Sequence, residues 1–76
     1  MTEMELRKLF AKRIKCKLIT KHMKQIDLAE RSGIPKQTIS RYINCERKPT
    51  YDIVLKIAHA LDCTAGDLID IDEELE

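Results

Sequence analysis

Apolar residues recur along this chain with the period of helices, and the places where the period breaks divide it into short segments. Leu6, Leu9, Phe10, Ile14 and Leu18 keep one face. Thr2, with Glu5 three residues later, makes a capping box ahead of them, so a first helix is expected from Glu3 to Lys21. His22 and Met23 link to a second helix that starts at Gln25, with Ile26, Leu28 and Ala29 at its apolar or small positions. Gly33 can take a positive φ without steric cost, and Pro35 fixes its own φ while holding Ile34 extended. A sharp turn into a third helix is therefore expected there. In that helix Ile39, Tyr42 and Ile43 fall at i, i+3 and i+4 on one side, and Lys36, Gln37, Ser40, Arg41 and Asn44 take the other. Thr50 caps a fourth helix whose Ile53, Val54, Ile57, Ala58 and Leu61 make a wide apolar face. Thr64 with Asp67 repeats the capping pattern before Leu68 and Ile69, which predicts a short fifth helix. The expected fold is all-α, a compact five-helix domain over residues 1–70 followed by an acidic tail at 71–76.

Charge adds a direction to this pattern. The net charge is only +1, but residues 1–48 hold 13 Lys and Arg against 5 Asp and Glu, whereas residues 49–76 hold Lys56 alone against 8 acidic residues. A positive field on the first three helices favours a polyanion there and leaves the acidic end repelled by one. The outer face of the third helix carries the chemistry to match. Gln37 offers a bidentate amide, Arg41 a guanidinium, Ser40 a hydroxyl and Lys36 an ammonium, the donor set that reads base edges in a DNA major groove.

The stretch QxxLAxxSGIxxxTISRYxN from Gln25 to Asn44, followed by RKPT and then IAxALDCTxxDL, resembles the helix-turn-helix family of phage Cro proteins and phage repressors, the Xre-like group. The likeness covers roughly residues 10–69, with its elements in the family's order. It implies a recognition helix in which Lys36, Gln37, Ser40 and Arg41 face base edges. It also implies a phosphate-holding set of Lys24, Gln25, Asn44, Arg47 and Lys48, with Gln25 at a helix N-terminus and the others flanking the groove. Five positions depart from the pattern, among them Glu46, which replaces a frequent Lys or Arg. Lys24 replaces a capping Thr or Ser, and Cys45 replaces a glycine that the family places in the loop, at a cost of about 1 kcal/mol if its backbone is left-handed. Leu18 and Ile43 replace an Arg and a Glu that many relatives join as a buried ion pair, a double change that keeps the core compensated.

Several classes fall away. No Ser/His/Asp or Cys/His constellation, phosphate loop or carboxylate pair can be assembled, so no enzyme activity and no cofactor is expected. Cys16, Cys45 and Cys63 are odd in number and lack paired spacing, which signals neither a disulfide framework nor a zinc site; His59 and Cys63, four apart, are two ligands at most. Three thiols, no apolar run long enough for a bilayer and no signal-peptide core lead to a cytoplasmic expectation. No small-molecule ligand is evident. The expected function is a transcriptional regulator, a repressor that occupies an operator in double-stranded DNA as a homodimer. The dimer contacts are expected near Leu61 to Thr64 and along an apolar strip of Ile69, Ile71 and Leu75. The alternative is a helix-turn-helix module that binds protein, as an antitoxin or an anti-repressor does.

Overall fold

In the computed structural model, which describes residues 2–69, the chain forms α1 (Glu3–Thr20), α2 (Gln25–Ser32), α3 (Lys36–Ile43) and α4 (Tyr51–Ala60), then a single 3-10 turn at Ala65–Asp67. Threonines start three of these elements. The hydroxyl oxygens of Thr2, Thr50 and Thr64 accept from the amides of Glu5 (3.1 Å), Ile53 (3.3 Å) and Asp67 (3.2 Å). At α2 the Lys24 ammonium has no lone pair with which to accept. The Asp27 carboxylate caps instead, accepting from the Lys24 amide at 2.9 Å in the first turn, where the helix dipole favours negative charge.

The helix ends share a device that the sequence shows only once. The residue after α2 is Gly33 at φ 75°, but the chain also turns left-handed at His22 (φ 55°), Cys45 (φ 61°) and Asp62 (φ 54°). At each of these three, two amides fold back onto the last turn. The Met23 amide donates to the Leu18 carbonyl (2.9 Å), that of Glu46 to Arg41 (2.8 Å) and that of Cys63 to Ala58 (3.0 Å), each beside a shorter-range bond from the preceding amide. This is the Schellman closure, built without glycine. It satisfies helix-end carbonyls and lets Met23 and Cys63 pack against the core.

That core lies among all four helices. Leu6, Phe10, Ile14 and Leu18 of α1 meet Leu28, Ile34, Ile39, Tyr42 and Ile43 from the helix-turn-helix, Val54, Ile57 and Ala58 from α4, and Leu61 just beyond it. Phe10 and Tyr42 touch edge to face, with ring centroids 5.7 Å apart at 86°. Leu18 and Ile43 both belong to this cluster, as a compensated apolar pair should. Leu9, expected on the buried face of α1, is only partly covered, and Ala11 takes a buried place.

Three expectations are corrected. The fifth helix is one 3-10 turn at Ala65–Asp67, and Leu68 and Ile69 just beyond it are both fully buried. Buried there, Ile69 cannot form part of an exposed dimer strip, and Ile71 and Leu75 lie outside the described residues. Leu61 is likewise core, which leaves Asp62 and Thr64 of that loop exposed and Cys63 half-buried. No helix among the described residues is long and apolar enough to cross a membrane.

Candidate nucleic-acid interface

α2 and α3 meet across the Gly33 turn. Ser32 Oγ accepts from the Ile34 amide at 3.2 Å, and Ile34 is buried, so the turn is anchored from both sides. With Ile39, Tyr42 and Ile43 buried, α3 has one orientation, and Lys36, Gln37, Arg41 and Asn44 stand exposed on its free side. Lys24, Gln25, Lys36 and Ser40 line one concavity of about 370 Å³ between the starts of the two helices. Four of the predicted site residues are thus brought together, from positions up to 16 apart in the chain.

Within that concavity Ser40 has a task of its own. Its hydroxyl donates to Gln25 Oε1 at 2.8 Å. The bond occupies the Ser40 proton and leaves the Gln25 amide nitrogen, a donor, free to meet an anion. The structure therefore ties Ser40 to the Gln25 side of the site, whereas the sequence pattern sets it among the base readers. Ile26, one of the apolar positions of α2, also lines the concavity and is 45 % exposed. An apolar group at this edge suits a sugar or a thymine methyl.

Arg47 and Lys48 lie in the loop beyond α3, exposed and away from the concavity. The loop is held from a distance in sequence. Arg7 Nη1 donates to the carbonyls of Cys45 (3.5 Å) and Glu46 (3.3 Å), while its Nη2 pairs with the Glu3 carboxylate. Sequence reasoning misses this, because a lysine- and arginine-rich helix gives no local reason to single out Arg7, whose side chain is only 23 % exposed. A helical wheel carries the signal, since Arg7 is eleven residues before Leu18, close to three whole turns, and so shares the face that meets the end of α3. A polar tie between α1 and the segment after α3 is thus carried at Arg7.

A pair of helices joined by a tight turn, presenting a polar helix beside a cationic helix start, is the architecture of a helix-turn-helix DNA-binding domain. A family model for the Cro/C1-type HTH DNA-binding domain matches residues 13–74, and the chain belongs to that family. Neither a curated protein nor a solved structure matches it. The matched span begins after Arg7 and includes the loop that Arg7 clamps.

Proposed function

We propose that this DNA-binding regulator is a transcriptional repressor that occupies a near-palindromic operator as a homodimer in the cytoplasm, without catalytic activity. The observation that carries the reading is the shared concavity at the starts of α2 and α3, flanked by the exposed Gln37 and Arg41. In this reading Lys36, Gln37 and Arg41 enter the major groove. Gln25, oriented by Ser40, holds a phosphate with Lys24 on one flank, and Asn44, Arg47 and Lys48 hold phosphates on the other. Repression by occupancy asks only that the bound dimer exclude another protein from overlapping DNA. Dimerisation supports specificity, because one short helix reads too few base pairs.

The test is a titration of genomic fragments at two salt concentrations, followed by a promoter assay on the tightest fragment. Binding to a subset of fragments at least about a thousandfold tighter than to bulk DNA, with transcription falling as occupancy rises, is expected. Equal affinity for all fragments would sink the sequence-specific reading and leave the protein-binding module in its place. Transcription that rises with occupancy would make the protein an activator.

A further inference from the structure

Away from the DNA-facing helices, α1 carries a second concavity of about 450 Å³ lined by Lys8, Ala11, Lys12, Lys15, Cys16 and Ile19, with Cys45 at its edge. Its floor is mostly apolar and its rim is three lysines. Ile19 is 76 % exposed, the most exposed of the large apolar side chains among the described residues. None of the three lysines pairs with a carboxylate among those residues. No residue of this groove belongs to the set assigned to DNA, so the groove is not explained by the DNA-binding reading.

The chain itself contains a segment of matching chemistry. Residues 70–76, which lie outside the described residues, read DIDEELE: five carboxylates, with Ile71 and Leu75 four apart, the spacing that puts two side chains on one face of a helical turn. We propose that the groove on α1 is the docking site for this acidic segment of a second copy, and that the reciprocal exchange forms the dimer. Two apolar side chains meet an apolar floor, and carboxylates meet the lysine rim.

Chain geometry favours the second copy over the same copy. Arg13 Nη1 donates to the Gly66 carbonyl at 3.4 Å, which fixes the 3-10 turn on the Arg13 side of α1. At about 100° per residue the groove residues centre roughly 130° around the helix from Arg13. On a helix about 10–12 Å wide that arc is about 12 Å. Ile71 lies two residues beyond the buried Ile69, at most about 7 Å of extended chain, which is short of that arc and favours the groove of a second copy. A partner related by two-fold symmetry can offer both Ile71 and Leu75, and receives the same in return.

The inference deepens the dimer in the proposed function, and its experiment uses no DNA, so failure here leaves the DNA-binding reading standing. Sedimentation of the full chain at low salt should show a dimer that weakens as salt is raised. Ile19→Asp, at an exposed position that the fold does not need, and the double variant Ile71→Asp with Leu75→Asp should each weaken self-association about tenfold or more. An equimolar mixture of the two should regain association, since one tail then meets one intact groove. A full chain that stays monomeric overturns the proposal, as does an Ile19→Asp variant that dimerises like the parent. A mixture that stays monomeric overturns the exchange, and leaves another partner or the tail's own copy as occupant.

Discussion

Gly33 and Cys45 sit in the same left-handed backbone region, at φ 75° and 61°, after the two helices of the motif, and exchanging their side chains isolates the cost of that region. A Cβ at Gly33 would meet nothing within 4 Å, so Gly33→Ala should destabilise through the backbone alone, by about 1–2 kcal/mol. Cys45→Gly should do the reverse and stabilise by up to about 1 kcal/mol. Urea midpoints at constant m-value measure both; a Cys45→Gly variant that is less stable would show that the partly buried thiol contributes more packing than the strain costs. At the same scale, reading and holding separate. Gln37 stands exposed in the first turn of α3, so Gln37→Ala should cost about 1–3 kcal/mol on the best operator and much less on sites already changed at its base pair. Lys48→Ala should weaken all sites alike and lower the salt-dependence slope by about 1 per chain, about 2 for the dimer, since one phosphate per chain is no longer neutralised. A panel of single-base operator variants titrated at several salt concentrations checks the pair. Equal losses at every variant for Gln37→Ala would take α3 out of the major groove.

Elements are held to one another here by a few polar ties laid over an apolar core. Arg7 reaches from α1 to the carbonyls of Cys45 and Glu46, so it positions the segment that carries Arg47 and Lys48. Arg7→Met keeps much of the apolar stem and removes the donors. It should cost about 1 kcal/mol of binding, equally on specific and non-specific DNA, and speed amide exchange at residues 46–48. Unchanged exchange there would mean that the loop holds its shape without Arg7. At the other end of the chain, the Thr64 amide first and its hydroxyl second hold the Asp67 carboxyl below its ordinary value. A carboxylate with a depressed folded pKa stabilises above its unfolded value, and that contribution is lost as pH falls from about 4 through the lower folded value. Asp67→Asn should therefore flatten the acid limb of a stability-against-pH profile while leaving the neutral-to-alkaline side unchanged in shape. A parallel acid limb in the variant would show that the cap does not couple to folding.

At the scale of the whole molecule, the described residues span 30 × 22 × 20 Å, too small to cover two half-sites one helical turn, about 34 Å, apart. On the proposed near-palindromic operator, that spacing would take two copies. Footprinting should show two protected half-sites about one turn apart, and sedimentation of the complex should give two chains per operator. A complex of one chain with a full operator would count against the dimer.

The helices, their starts and the turn at Gly33 were legible in the sequence, because capping hydroxyls, proline and apolar period act over three or four residues. So was the polar outer face of α3, since Ile39, Tyr42 and Ile43 leave it no other side to bury. The left-handed end at Cys45 was signalled only by the glycine that the resembled family places there, and those at His22 and Asp62 were not legible, because these residues carry no local demand for positive φ; it is set by the amides that fold back once Met23 and Cys63 find the core. The turn at Ala65 has the sequence pattern of a helix, but burial of Leu68 and Ile69 is decided by the space that α1 and α4 leave. The Ser40 to Gln25 bond and the Arg7 clamp join residues 15 and at least 38 apart. Only the packed arrangement of helices brings such groups within hydrogen-bond distance, so tertiary structure decided which polar residues are free to face a ligand and which hold the others in place.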